Sequence, residues 1–382
     1  MEPTPLALSL PSIDEAEERA VLRVLRSGWL STGAEAEAFE HELAALLDVA
    51  AVVAVSSCTA ALHLAVLAAG VQPGDEVVTT ALTWPATANV IVHAGATPVF
   101  ADVESATLNI DPSAAAASVT TRTAALMPVH LAGQPVRLDE IALLAEAHGM
   151  PIIEDAAHAL GAVYHGRRIG SLSPFTCFSF YPTKAVTMGE GGAIALRDAA
   201  MAAHVRVLSR HGMSANAWTA RDETARPAYV APGFKYNLPD LLAAIGRVQL
   251  GKLEGFLARR RALVATYRET LTDLPAIRML DQMPDVESAH HLFPIVVRPE
   301  LSALGRDELA TALLEGGIQT GVHYRALHLQ PYYAARFGLR PEDFPEATNA
   351  SRTALSLPLH PGMSTDDVIR VADQVRRLVT GR

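Results

Sequence analysis

The sequence is poor in cysteine, poor in lysine and free of long uninterrupted apolar runs. Its two cysteines, Cys58 and Cys177, lie far apart, with no CxxC pair and no histidine spacing typical of zinc ligands. This pattern argues against a disulfide scaffold, predicts no metal site and indicates a reduced, cytoplasmic protein. Polar residues interrupt the most apolar stretch, 49–71, which argues against a membrane span, and the N-terminal segment lacks the basic region of a signal peptide.

Positive charge is also scarce. The chain carries 31 Lys and Arg against 41 Asp and Glu, a net charge of -10, so a nucleic acid is not expected as a partner. Half of the 382 residues are hydrophobic and 19% are charged, which is typical of a compact globular protein. Because single cores stop growing at roughly 250 to 300 residues, this length predicts two domains, which we place at 1–245 and 246–382.

The first of these regions has the pattern of an α/β domain. Short apolar runs alternate with segments of helix length between about residues 50 and 200, and each run is nearly continuous: AVVAV, DEVVTT, TPVFADV, AALMPVHL, PIIED, FTCFSF and GGAIAL. Continuous runs are buried on both faces, which predicts a mainly parallel sheet between helices. We expect a capping box from Ser12 to Glu15 at the first helix.

The second region predicts a smaller α+β domain joined to the first by a long helix, from Leu238 to about Leu271. Its strand candidates are HLFPIVV and IQTGVHY, and its helices fall near 305–315 and 364–379. The long polar segment from Met213 to Gly233 is a candidate for substrate or subunit contacts.

Two stretches could hold an anionic cofactor at the carboxyl ends of strands. In IIEDAAHALGA, Asp155 ends a strand and His158 follows, a common place for ligand-binding groups, although Asp155 could equally cap a helix. In AVSSCTAALHLA, Ser57 and Thr59 lie at a helix start suited to a phosphate, although a simple N-cap is the commoner explanation. The fingerprints GxGxxG and GxxxxGK[ST] are missing, so nothing favours a dinucleotide site or a P-loop.

A lysine is the third candidate for a cofactor-binding residue, beside the strand-end acid and the helix start. The chain has only three lysines, and one of them, Lys184 in FSFYPTKAVTMGEGG, follows a predicted strand. An amine forms a Schiff base with a carbonyl whereas a guanidinium does not, although a surface lysine is the simpler alternative. Trp84 offers a flat face, although a lone tryptophan is more often core. Amine, acid, helix start and aromatic together fit pyridoxal 5'-phosphate (PLP).

These motifs resemble the DegT/DnrJ/EryC1/StrS sugar aminotransferases, PLP enzymes with the aspartate aminotransferase fold (fold type I). The resemblance runs almost end to end, through SGWLSTG, AVSSCTAALHLA, GDEVVTTALTWPATAN, IIEDAAHALGA, FSFYPTKAVTMGEGG, PGFKYNLPD and VHYRALHLQPYY. Within the family, GFKYNLPD, GVHYRALHLQPYY and LSLPLHPGMS are most similar to enzymes that aminate a UDP-4-keto-pentose to UDP-4-amino-4-deoxy-L-arabinose.

The resemblance implies a role for each matching residue. Lys184 would form the Schiff base and move the proton, Asp155 would pair with the pyridine nitrogen, and His158 would lie near the phenolic oxygen. The phosphate would be held by Thr59, the amide of Ala60 and Ser179, and from the partner subunit by Lys235 or Asn237. Trp84 would stack on the ring, and Tyr181, His323 and Tyr324 would contact the substrate.

The implied activity is transfer of an amino group from L-glutamate to a nucleotide-linked keto sugar in a ping-pong reaction, by a homodimer with shared active sites. Alternatives are a keto-inositol aminotransferase, a PLP-dependent sugar dehydratase and a protein that only senses PLP. Lys184 argues against the dehydratases, which have histidine there, and the lack of a DNA-binding motif argues against the sensor. The chain departs from the family pattern at Tyr181, at Ala185 and in the triplet Lys235-Tyr236-Asn237, and the first two are expected on the floor of the active site.

Overall fold

The computed structural model of the chain describes residues 5–214 and 228–381. Its helices are α1 (Glu15–Ser27), α2 (Ala34–Leu47), α3 (Cys58–Ala68), α4 (Pro85–His93), α5 (Pro112–Ala117), α6 (Leu138–His148), α7 (Ala199–Leu208), α8 (Asp240–Leu271), α9 (Arg306–Glu315), α10 (Pro331–Phe337), α11 (Pro345–Thr353) and α12 (Thr365–Thr380). Its strands are β1 (Ala51–Val55), β2 (Glu76–Thr80), β3 (Thr97–Ala101), β4 (Thr123–Met127), β5 (Ile153–Asp155), β6 (Val163–Tyr164), β7 (Arg167–Arg168), β8 (Phe175–Ser179), β9 (Gly192–Leu196), β10 (Ile277–Met279), β11 (Val286–Glu287), β12 (Phe293–Val297) and β13 (Ala354–Leu357).

The central sheet is mainly parallel, as predicted. Strands β3, β2 and β4 pair in parallel, and β5 pairs in parallel with β8. Parallel bridges join β4 to β5, so the order in the described residues is β3-β2-β4-β5-β8-β9-β1. Only β9 runs against the others, because it is antiparallel to both β8 and β1. The carboxyl ends of β1, β2, β5 and β8 therefore point to one edge of the sheet.

Both faces of this sheet are covered by helices. Alternate residues of β1 face opposite sides: Val52 and Ala54 join one apolar cluster, and Val53 and Val55 join the other. Helices α2, α6 and α8 cover the first face, and α3, α4 and α7 cover the second. Two-sided burial explains why the strands read as continuous apolar runs.

The C-terminal part forms a separate apolar cluster. The antiparallel sheet β10-β12-β13 packs with α9, α12 and the later turns of α8. Helix α8 contributes Leu253 and Leu257 to the first cluster of the central sheet, and Leu263 and Tyr267 to this one. Helix α8 therefore links the two regions. The predicted domain boundary between residues 245 and 246 lies within this helix and stays a prediction. No helix in the described ranges is long and apolar enough to cross a membrane.

Two local expectations are wrong, and one lies partly outside the described residues. The capping box is formed by Asp14 and Glu17 rather than by Ser12 and Glu15. IQTGVHY is not a strand, since only isolated bridges form at Ile318 and Gly321. Of the segment Met213–Gly233, residues 215–227 lie outside the described ranges.

Candidate active site

A cavity of about 430 Å³ lies where the carboxyl ends of β1, β2, β5 and β8 meet, the usual ligand position in parallel α/β sheets. Most of the side chains assigned from the sequence line it. They are Thr59, Trp84, Asp155, His158, Ser179, Tyr181, Lys184, His323 and Tyr324. The fold therefore brings together residues that are far apart in the sequence, such as Thr59 and Tyr324, which are separated by 265 positions.

Asp155 provides a carboxylate inside the cavity. The side chain is 5% exposed and accepts hydrogen bonds from the Thr87 hydroxyl at 2.8 Å and the Ala157 amide at 3.2 Å. Burial raises the pKa of Asp155, and these two donors oppose that shift by stabilising the charged form. Residues 156–162 form turns, so the alternative that Asp155 caps a helix is wrong.

Lys184 brings an amine of lowered basicity to the same cavity. It follows β8 and is partly buried, so it is not a solvated surface lysine. Burial lowers the pKa of Lys184 from 10.5 to about 8, while the neighbouring Cys58 and Asp155 side chains act in the opposite direction. About a tenth of such amines are unprotonated at pH 7, compared with about three in ten thousand for an ordinary lysine. The unprotonated amine is the form that attacks a carbonyl.

His158 is a neutral, fixed hydrogen-bonding group. Burial, followed by the charges of Lys184 and His323, holds the pKa of His158 well below its usual value. The amide of Ala132 donates to Nδ1 at 3.3 Å, so the proton of the neutral ring is on Nε2 and points to the Tyr324 hydroxyl 3.1 Å away. The hydroxyl hydrogen of Tyr324 is therefore free to donate to another acceptor.

The start of α3 forms the polar end of the cavity. Ser57 is the N-cap of α3, Thr59 is exposed to the cavity, and the helix dipole favours an anion here. Gly192 of β9 lets the strand approach, because a Cβ on it would lie 2.3 Å from the carbonyl carbon of Ser57. The amide of Ala60 already donates to the Ser57 hydroxyl at 3.1 Å, and Ala60 does not line the cavity, so its contact with a phosphate stays a prediction.

Aromatic side chains form the open wall of the cavity. Trp84 is 61% exposed, so it is not part of the core, and its ring centroid is 5.8 Å from that of Tyr324. Tyr181 is also exposed and lines the cavity. His323 donates to or accepts from the Ser356 hydroxyl at 2.9 Å, and burial lowers the pKa of His323 to about 4.

Three assigned positions lie elsewhere. Lys235 and Asn237 line a second cavity beside the segment 28–32, where Lys235 Nζ donates to Asn237 Oδ1 at 2.5 Å and Asn237 donates to Thr32 Oγ1 at 2.7 Å. Ala185 packs against the apolar cluster beneath the sheet, so the expectation that it lies on the floor of the site is wrong. Its small side chain fits that packing.

Several cavity residues were not assigned from the sequence. Cys58, Glu190 and His291 line it, as do Leu8 and Ser9 of the N-terminal segment. His291 opens the predicted strand HLFPIVV, and a histidine at a strand end was the one signal available. Leu8 carries no chemical signal at all. In the described ranges, no group of three or more His, Cys, Asp or Glu side chains is arranged to hold a metal ion.

The residues present fit PLP, because an amine, a buried carboxylate and a helix start surround one cavity. The model of the DegT/DnrJ/EryC1/StrS aminotransferase family matches residues 11–376. The chain belongs to this family. It is a PLP-dependent sugar aminotransferase with the fold of its structural neighbours, as the sequence predicted.

Similar proteins span the whole chain. The spore coat polysaccharide biosynthesis protein SpsC of Bacillus subtilis (strain 168) is 44% identical over 379 residues, which is 98% of this chain and 97% of SpsC. Among solved structures, the PLP form of Spr1654 from Streptococcus pneumoniae superposes with a TM-score of 0.92 at 30% identity, covering 99% of each chain, and a PMP form superposes equally well. DesI, solved in the presence of its TDP-sugar product, superposes with a TM-score of 0.88 at 34% identity, covering 99% of this chain and 94% of DesI.

Proposed function

We propose that this aminotransferase moves an amino group from L-glutamate to a keto sugar carried on a nucleotide, by a ping-pong reaction. The observation that carries the proposal is the pairing of the Lys184 amine, with its pKa near 8, and the buried Asp155 carboxylate in one cavity. A lysine here supports amino-group transfer rather than dehydration, since the related dehydratases have histidine at the corresponding position.

Each group in the cavity has a chemical task. When bound, PLP supplies the aldehyde that takes up the amino group, the electron-withdrawing ring that allows a proton to move, and the carrier between the two substrates. Lys184 holds and moves that proton at Nζ, because its pKa lies near the working pH. Asp155 provides the negative charge that favours a protonated pyridine nitrogen. Tyr324 provides a neutral hydroxyl donor for an oxygen atom of a ligand, and His158 orients that hydroxyl by donating to it.

The relatives support the substrate class and the order of events. The solved PLP and PMP forms of Spr1654 are the two cofactor states that a ping-pong transamination needs. DesI was solved with a TDP-sugar product, which favours a nucleotide-linked acceptor here. The exposed Tyr181 at the mouth offers a flat face to a sugar or a base, while Trp84 is left for the cofactor ring.

The active site is proposed to be completed by a second copy of the chain. Lys235 and Asn237 lie outside the main cavity of their own chain, next to 28–32, where they could reach the cofactor phosphate of a partner. Lys235 is exposed and carries the positive charge, so it is the stronger candidate for the phosphate contact. The cytoplasmic location expected from the reduced cysteines stays a prediction.

A substrate panel tests the proposal. Purified protein with PLP and L-glutamate is offered UDP- and dTDP-linked keto sugars and a keto-inositol, and 2-oxoglutarate is measured. We expect turnover with at least one nucleotide-linked sugar, parallel lines in double-reciprocal plots and no turnover in Lys184→Arg, with Lys252→Arg as the matched control. Turnover with the keto-inositol alone would establish the alternative acceptor class.

A further inference from the structure

His291 lies against Lys184 at the base of the cavity. Its Nε2 is 3.5 Å from Lys184 Nζ, and the residue is 5% exposed. Lys184 follows β8 of the central sheet, whereas His291 lies two residues before the start of β12 in the C-terminal region. The contact therefore joins the amine to the other part of the chain, and nothing above gives His291 a task.

The surroundings of His291 keep its ring neutral. Burial holds the pKa of His291 well below its usual value, and the positive charges of Lys184 and Arg260, with those of His158 and His323 when they are protonated, act in the same direction. The charged groups with the largest effect on it are all basic. The ring packs on His158 with a centroid distance of 4.3 Å. A neutral imidazole has one nitrogen that accepts a hydrogen bond, and an imidazolium has none.

Arg260 fixes the segment that carries His291. This arginine of α8 is 1% exposed, and its Nη1 donates to the carbonyl oxygens of His290, His291 and Leu359 at 3.1, 3.2 and 3.0 Å. Burial lowers the pKa of Arg260 to about 10, so the guanidinium stays charged near neutral pH. It thereby anchors the backbone of two residues that line the cavity, His291 and Leu359, and opposes protonation of the imidazole.

We propose that His291 is a positioning residue whose Nε2 accepts a hydrogen bond from the Lys184 ammonium and holds Nζ in the cavity, with Arg260 fixing the backbone of His291. The inference rests on the proposed role of Lys184. A lysine side chain has four rotatable bonds, so an acceptor that orients the amine reduces the entropy lost on reaction. A separation of 3.5 Å is long for a hydrogen bond, as is common for catalytic contacts before ligands bind.

The test measures the titration of the Lys184 amine in protein free of PLP. The protein is labelled with pyridoxal and cyanoborohydride from about pH 6 to about pH 10, and peptides are quantified by mass spectrometry. With only Lys184, Lys235 and Lys252 in the chain, each lysine gives a separate signal, and the last two serve as internal references. The variants are His291→Phe, which removes the acceptor, His291→Gln, which keeps one near Nε2, and His291→Asn, whose shorter amide cannot reach Nζ.

We expect the wild-type midpoint near pH 8 and a midpoint about one pH unit lower in His291→Phe and His291→Asn, because the ammonium loses its acceptor. His291→Gln should restore most of the shift. The neighbour variant His290→Asn, whose side chain does not line the cavity, should leave the midpoint unchanged. If the His291→Phe variant does not fold, the midpoints of His291→Asn and His291→Gln are compared with each other instead.

Two results would overturn the inference. An unchanged midpoint in His291→Asn and His291→Phe would reduce His291 to a packing role, and an upward shift would show that its ring carries a charge. Failure of the proposed function looks different. In that case, PLP reduced onto the wild-type protein would label Lys235 or Lys252, or no lysine at all, whatever the His291 variants do.

Discussion

The lowered basicity of Lys184 predicts how fast the protein captures PLP at each pH. A pKa near 8 instead of 10.5 raises the unprotonated fraction at pH 7 about 300-fold. The rate of capture should therefore rise about tenfold per pH unit below pH 8 and level off above it, provided the amine is the attacking group. Stopped-flow absorption of PLP mixed with PLP-free protein measures this profile directly.

The substitution Asp155→Asn tests the charges that set this midpoint. The groups whose charges act on Lys184, or are acted on by it, are Cys58, Asp155, His158, His291 and His323. Among them, the Asp155 carboxylate supplies a negative charge that favours the ammonium. Removing it should lower the midpoint by about one pH unit, the size expected of one nearby opposite charge.

A matched control comes from the neighbouring residue on β5. Glu154 is also buried, but it contacts His130 at 2.7 Å and Thr176 at 3.0 Å and does not line the cavity. Glu154→Gln should leave the midpoint near pH 8. The reasoning is refuted if capture keeps rising to pH 10 in the wild type, or if Asp155→Asn and Glu154→Gln behave alike.

Four further substitutions, one of them a control, test the contributions of single residues to stability and cofactor binding. Trp84→Ala should change the free energy of unfolding by less than about 0.5 kcal/mol, because the side chain is 61% exposed, yet weaken PLP binding measured by fluorescence titration. Gly192→Ala should destabilise the protein by more than about 1 kcal/mol in urea unfolding, because its Cβ would lie 2.3 Å from Ser57, whereas Gly251→Ala, in the open on α8, should be neutral or stabilising. Arg260→Met should cost about 2 to 4 kcal/mol in the same assay, because three carbonyl oxygens lose their donor.

Each of these three predictions can be contradicted by a specific result. Unchanged PLP affinity in Trp84→Ala would remove the tryptophan from the cofactor site. Equal stabilities of Gly192→Ala and Gly251→Ala would mean that β9 and the start of α3 leave room for a Cβ at Gly192. An Arg260→Met protein as stable as the wild type would show that the three carbonyl contacts contribute nothing net.

The central sheet could be predicted from the sequence because its burial leaves a local pattern. All seven apolar runs, from AVVAV to GGAIAL, coincide with strands of the sheet. The ends of helices and the short strands do not leave such a pattern. Ser12 and Asp14 are both good N-caps, and only the structure shows that the helix begins at Glu15. In IQTGVHY the residues have strand propensity, but their partners are single residues of distant segments, Leu6 and Ser356.

The sequence predicted those site residues whose chemical role only one or two residue types can fill. Lys184 and Asp155 stood out because an amine and a strand-end carboxylate have few substitutes in PLP chemistry. His291 did not stand out, because its importance depends on a contact across 107 positions and on the guanidinium of Arg260 behind it. Ala185 was misplaced because a neighbour in sequence on a turn can point into the core instead of the cavity.

The most direct test of the account is the covalent attachment site of the cofactor. The PLP-loaded protein is reduced with borohydride, digested and mapped by mass spectrometry. We expect a reduced pyridoxyl group on Lys184 alone, and loss of the visible absorption band in Lys184→Ala. A label on Lys235 or Lys252, or a band that survives in Lys184→Ala together with full turnover, would contradict it.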